Sequence, residues 1–229
     1  MKRSEINRSI DQALALCQEY SIQLPPFAFF TPADWMQKNE EYDEIRDCML
    51  GWDITDYGLN RFEEIGLTLI TLRNGIRNSL VYSKPYAEKI LISQENQVCP
   101  MHFHWHKCED IIHRNGGILM MQLYSADAQD GLSDQPVSVQ RDGRRYEVAA
   151  GTIVELLPGE SITLPARCFH AFWAKAGHGP VLIGEVSMVN DDHNDNCFLE
   201  PIGRFPKIEE DELPRRLLCT EYPRKDGSH

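Results

Sequence analysis

The sequence predicts an all-β core, an antiparallel barrel or sandwich with helices attached at its N-terminus. Three observations lead there: many short apolar runs from residue 52 onward, turn residues between them, and no helical periodicity among them. The first quarter differs. Residues 4–20 place Ile6, Ile10, Ala13, Leu14 and Cys17 on one helical face, with Ser4 as the expected N-cap. After Pro25 and Pro26, Thr31-Pro32-Ala33-Asp34 predicts a second helix: Thr31 caps, Pro32 takes the first position and Asp34 completes a capping box. Tyr42, Ile45 and Met49 carry its stripe to about residue 50. Residues 66–73 and 76–82 flank Asn74-Gly75 and read as a hairpin, because Asn-Gly takes the positive φ values of a type I′ turn.

Further strands are expected at 88–93, 99–105, 109–113, 118–124, 137–141, 144–148, 152–157, 161–164, 168–174 and 181–188, with a tight turn at Asp142-Gly143. From Asn190 the chain is rich in Asp, Asn, Pro and Glu. It should wrap the barrel as an ordered loop and end in a short helix near residues 209–218. A chain of 229 residues sustains one large core more readily than two. The expected organisation is a helical extension over 1–51, a barrel over 52–189 and a tail over 190–229, all of one domain.

Composition excludes several classes. Hydrophobic residues make up 42% and charged ones 25%, as in soluble globular proteins. No uncharged apolar stretch approaches the ~18 residues of a membrane span, and the polar start at Met1-Lys2-Arg3 predicts a polar-faced segment and not a signal peptide. The 23 Lys and Arg against 35 Asp and Glu give a formal charge of -12, which repels polyanions, so neither a nucleic acid nor an acidic membrane is an expected partner. The seven cysteines are odd in number and form no C-x-x-C pair, which suits a reducing compartment, the cytoplasm.

Four of the eight histidines lie between Met101 and His113. In a strand His102 and His104 share a face, and a turn through Lys107-Cys108 brings Glu109 back beside them. His102-x-His104-x4-Glu109-x6-Gly116 resembles the first motif of the cupin family. Gly159-x5-Pro165-x4-His170 resembles the second and implies His170 as a fourth metal ligand. The sequence departs from those motifs at Asn96, Arg167 and Ala174, which affects turns and not ligands. The stretches 101–107, 109–112, 203–206 and 209–212 are further similar to the D-lyxose isomerase family of sugar-isomerising cupins. That resemblance implies a cupin β-barrel, Mn²⁺, a homodimer, and interconversion of D-lyxose with D-xylulose, with D-mannose and D-fructose as the longer, weaker pair.

Three imidazoles and a carboxylate suit Mn²⁺, Fe²⁺, Co²⁺, Ni²⁺ or Zn²⁺. Four protein ligands on an octahedral ion leave two positions for adjacent sugar oxygens, which fits proton transfer through a metal-stabilised enediol. Cys168 lies on the His170 side of its strand and is a further possible contact. A base and a proton shuttle are then needed. Glu185, a charge inside the apolar strand Val181–Ser187, is the expected base, its pKa raised by burial; this strand should pair with that of His170 across the turn 175–180. Lys107 in the ligand turn could stabilise charge on oxygen. Lys89, His106 and Arg204 are expected to bind the sugar substrate, with Asp191, Asp192, His193 and Asp195 in a loop able to cover it. His113 and His178 read as structural and His229 as terminal, while Phe103, Trp105, Phe169, Phe172 and Trp173 suit core or dimer contacts. The same ligand set also fits a cupin dioxygenase or decarboxylase, or a non-catalytic sugar-binding cupin.

Overall fold

The structure, a computed structural model, describes residues 1–224; His229 lies outside them. Helix α1 (Arg3–Glu19) is followed by two short helices, α2 (Pro32–Trp35) and α3 (Asp43–Asp47). Thirteen strands follow: β1 (Gly51–Thr55), β2 (Leu67–Arg73), β3 (Tyr86–Ser93), β4 (Cys99–Phe103), β5 (Glu109–Gly116), β6 (Leu119–Ser125), β7 (Val137–Arg141), β8 (Arg144–Val148), β9 (Ile153–Leu156), β10 (Ser161–Leu164), β11 (Cys168–Ala174), β12 (Val181–Met188) and β13 (Cys197–Phe198). They form an eight-stranded sheet, ordered β1-β2-β3-β12-β5-β10-β7-β8, and a five-stranded sheet, β13-β4-β11-β6-β9. The two sheets face each other as the antiparallel cupin barrel that the sequence predicts.

Alternation in the strands explains two separate cores. Leu69 and Leu91 point between the sheets with Met121, Leu123 and Phe172. Their neighbours Ile70, Ile90 and Ile92 point outward and pack with Trp52 and Leu182 under the apolar face of α1, Ile6, Ile10 and Ala13. Both faces of β1–β3 are therefore covered, and these strands carry few exposed residues.

Several local expectations need correction. The N-cap of helix α1 is Lys2, two residues earlier, and the Ser4 hydroxyl donates to Asp211 instead of capping. The capping box at Thr31 and Asp34 forms, but its helix ends at Trp35, whose ring stacks on Tyr222 at 3.9 Å. Asn74-Gly75 does not turn a hairpin; β2 pairs with β3 across a loop over 74–85. The Asn74 side chain is buried and bonded to Cys48 and Asn190, and the Lys84 carbonyl passes so near Gly75 that a Cβ there would lie 2.0 Å from it. Asp142-Gly143 does make the tight turn, with φ of 49° and 79°. No helix forms at 209–218, because the tail spends its polar groups on α1, through Glu210 to Arg3, Asp211 to Ser4 and Glu212 to Asn7. Strands β11 and β12 do not pair. The turn at 175–180 carries the chain from one sheet to the other, so β12 pairs with β3 and β5. No helix among the described residues is long and apolar enough to cross a membrane.

Candidate metal centre and cavity

Strand pairing assembles the site from both sheets. In the smaller sheet His170 on β11 is the register partner of His102 on β4, and their ring centroids lie 4.2 Å apart. His104 follows just past the end of β4. In the larger sheet Glu185 on β12 lies between Lys89 on β3 and Ile111 on β5. Side chains from the two inner faces meet in a cavity between the sheets. Its walls are apolar at Leu67, Leu69, Leu91, Phe172 and Phe198 and polar at His102, His104, Lys107, Glu109, His170 and Glu185. A few convergent polar groups in an apolar cleft are what a small-molecule site presents.

The imidazoles are oriented by the backbone. His102 Nδ1 bonds the Pro100 carbonyl at 2.8 Å, His104 Nδ1 the Asp195 carbonyl at 2.9 Å and His170 Nδ1 the Cys168 carbonyl at 3.0 Å. A carbonyl only accepts, so each Nδ1 carries the proton and each neutral ring keeps its lone pair on Nε2. The three rings offer ligand atoms within 4.8 Å of one another, all buried. Burial, reinforced by His170 and His104, holds His102 well below the usual imidazole range, and burial with the Lys107 ammonium lowers His104. Glu109 Oε1 lies 3.1 Å from His170 Nε2 and its Oε2 lies 3.5 Å from His104 Nε2. Lone pairs held this close repel one another, and a cation among them relieves that repulsion. The donor set therefore fits a divalent ion bound by His102, His104, His170 and Glu109. Cys168 does not line the cavity, and burial pushes its thiol up to about 12, so it stays protonated.

Beside this group runs a chain of charges. Lys107 Nζ lies 2.7 Å from Glu109 Oε2 and 2.9 Å from Glu185 Oε1, and Lys89 Nζ lies 3.3 Å from the same Glu185 oxygen. Burial alone would raise the Glu185 carboxyl, the effect its apolar strand predicts. The Lys107 and Lys89 ammoniums outweigh it and hold the carboxyl below its ordinary value, which corrects the expectation of a raised pKa. Glu109 is held well below the carboxylate range against the same burial by Lys107 and His104. Burial opposes the Lys107 charge, yet the two carboxylates raise its pKa.

The predicted residues separate clearly. His102, His104, Glu109, His170, Glu185, Lys107, Lys89 and Arg204 all line the cavity. His106 does not. The strand ends at Phe103, so the alternation stops, and His106 is exposed on a neighbouring cavity with Arg77 and Met188. Arg204 bonds Asp53 at 2.5 Å and Asp192 at 3.1 Å, while its buried Nη1 has no partner among the described residues. From the charge-rich loop Asp192 reaches the cavity, whereas Asp195 holds the ligand turn by accepting from the His106 and Lys107 amides. Asn190, Asn196, Tyr57 and Asp53 also build the site or its support and were not anticipated. The one sequence signal among them is a charge set between the apolar Trp52 and Ile54, at Asp53.

Fold and site define the class, a cupin-type barrel with a histidine-lined cavity between its sheets. A sequence profile of D-lyxose isomerase matches residues 1–222. The D-lyxose/D-mannose isomerase of Serratia proteamaculans is 50% identical over 98% of this chain and 99% of its own. The D-lyxose/D-mannose isomerase of Escherichia coli O157:H7 is 48% identical over 97% and 98%. The chain belongs to the D-lyxose isomerase family, a family of sugar isomerases. Among solved structures, L-ribose isomerase of Cellulomonas parahominis, with L-psicose, matches 91% of this chain and 98% of its own at TM-score 0.61 and 17% identity. L-ribose isomerase of Acinetobacter sp. DL28, with L-ribose, does so at TM-score 0.62 and 13% identity. These two show the same fold.

Proposed function

We propose that the protein is a metal-dependent isomerase that interconverts D-lyxose and D-xylulose, and D-mannose and D-fructose. The observation that carries this is the placement of three oriented Nε2 lone pairs and Glu109 in one cavity with the Lys107–Glu185–Lys89 chain. The substrates follow the names of the two relatives at about half identity. His102, His104, Glu109 and His170 would hold the ion, Mn²⁺ by family resemblance, with Fe²⁺, Co²⁺, Ni²⁺ or Zn²⁺ compatible with the same donors. When bound, such an ion supplies a Lewis acid that acidifies the proton next to the sugar carbonyl.

The chain's own groups do the rest. Glu185, ionised beside its two lysines, takes the proton from C2 and returns it to C1 on the same face, so the reaction runs through an enediol. Lys107 stabilises negative charge on the neighbouring oxygen and relays the proton between O1 and O2. Lys89 and the free Nη1 of Arg204 donate to sugar hydroxyls. The leucines and phenylalanines of the wall exclude water. All seven cysteines are free, which supports a cytoplasmic enzyme. Tyr86 and Met188 are exposed cross-strand partners with Val186 beside them, an apolar outer face that supports a homodimer. Sedimentation of a monomer at enzyme concentrations of ~10 µM would remove the dimer.

The test is NMR of D-lyxose in D₂O with metal-stripped and Mn²⁺-reconstituted protein. Ketose carrying deuterium at C1, formed by the reconstituted protein alone, is the expected result. No ketose from D-lyxose or D-mannose with any divalent ion would overturn the reading.

A further inference from the structure

Asn190 has no part in the reaction proposed above, yet it sits among the groups that do. Its carboxamide oxygen accepts from Lys89 Nζ at 2.6 Å and from Lys107 Nζ at 3.5 Å, and its Nδ2 donates to Asp192 at 2.8 Å. Lys89 Nζ is therefore shared between this amide and Glu185, which lies farther off at 3.3 Å. Glu185 is left with one close cation, Lys107 at 2.9 Å, and a second held back. The main chain that carries this side chain is fixed from behind. The Asn190 N–H donates to Asn74 Oδ1 at 3.0 Å, and Asn74 Nδ2 donates to the Asn190 carbonyl at 3.0 Å and to the Cys48 carbonyl at 3.2 Å. Asn74 is buried, so this three-bond clamp works away from water, where hydrogen bonds hold geometry most firmly.

We propose that Asn190, clamped by Asn74, is a positioning residue that holds Lys89 off Glu185 and so keeps a carboxylate lone pair open to the substrate proton. Without the amide, the Lys89 ammonium has Glu185 as its nearest acceptor and closes onto it. The inference rests on Glu185 as the base and adds a restraint that the proton transfer depends on.

The metal-loaded full chain tests it. Asn190→Ala should lower kcat about tenfold with KM changed by less than about twofold, and leave bound metal and Tm near wild type, since the side chain is half-buried. In a Lys89→Met background the same substitution should change kcat by less than about twofold, because no ammonium remains to be restrained. Wild-type kcat in Asn190→Ala, or an equal loss in the Lys89→Met background, overturns the proposal. Asn74→Ala is the second variant: it should reproduce the loss, and the double variant should fall no lower than the worse single. Losses that multiply overturn the clamp. Glu185→Gln, measured alongside, separates the two readings. If it is fully active the base assignment fails and takes this inference with it; if it is inactive while Asn190→Ala is unchanged, this inference alone fails.

Discussion

Glu185 and Glu109 are buried carboxylates about one lysine apart, and their neighbours give them different work. Glu109 faces two imidazole nitrogens and Glu185 faces only ammoniums and the cavity. Replacing Glu185 by Gln should therefore lower kcat by about 10²-fold or more while bound metal stays near one equivalent. Metal analysis beside turnover checks this, and a fully active variant would exclude Glu185 as base. Replacing His102, His104 or His170 by Ala should remove metal and activity together, because each deletes one of three mutually close donors. Acid stability follows from two carboxyls away from the imidazoles. Burial would raise Glu185 and Asp192, but Lys107 and Lys89 lower the first and Arg204 and Lys89 lower the second, from ordinary values of 4.5 and 3.8. A carboxyl whose folded pKa is depressed adds stability above its unfolded value and loses it as pH falls through the folded one. Thermal melts should accordingly give a Tm that is flat from pH 7 down to about 5 and falls steadily below about pH 4.5. A Tm unchanged at about pH 3 would show that neither group is held ionised by folding.

At the scale of elements, the junction of β5 with β12 carries the wall that holds Glu185, and it depends on one glycine. Gly116 has φ of 104°, and a Cβ there would lie 2.2 Å from the Pro180 carbonyl, at the first pair of the two strands. Gly116→Ala combines a left-handed φ with a backbone clash, so urea unfolding should show a loss of about 2–4 kcal/mol with the m-value unchanged. A loss under about 0.5 kcal/mol would mean that the strands shift freely. Gly116 was legible because it stands at a fixed distance from Glu109 in a motif, as His102, His104 and His170 do. Period-two alternation likewise located most strands, since one buried face must repeat every second residue. Alternation does not say which sheet a strand joins, so β12 was placed beside β11. It also does not say where a strand ends, so His106 was counted with His102 and His104. Asn74-Gly75 misled for a related reason: the same dipeptide that suits a tight turn also suits a buried amide beside a close backbone approach. Asn190 gave no signal and Asp192 only that of a charged loop, because nothing in a polar loop tells which side chain a distant lysine will meet.

The whole molecule is closed by its two ends. Arg3 on α1 is buried and pairs with Glu210 and Glu221 of the tail, while the Arg3 N–H donates to the Glu209 carbonyl at 2.8 Å and Asn7 holds Glu212 and Leu213. The tail that α1 anchors is continuous with residues 192–204, which supply Asp192, Asn196 and Arg204 to the cavity. Stability and the wall of the cavity are thus linked through one strap. Arg3→Ala removes a cation from between two carboxylates, and Glu221, only 22% exposed, is left without its closest partner. Breaking such a pair on one side costs about 2–4 kcal/mol here, less than for a fully buried pair because Glu210 is 56% exposed and can turn to water. In a chain of this size that corresponds to a fall in Tm of about 4–16 °C. The loosened tail should also raise KM for the aldose more than it lowers kcat, because Arg204 comes from the tail while Glu185 stands on β12, a strand that the tail does not carry. Melting curves and initial rates on the same preparation decide it. An unchanged Tm would show that the Arg3 pairs are replaced by water at no cost, and a fall in kcat at constant KM would show that the tail acts on the proton transfer itself and not on the sugar.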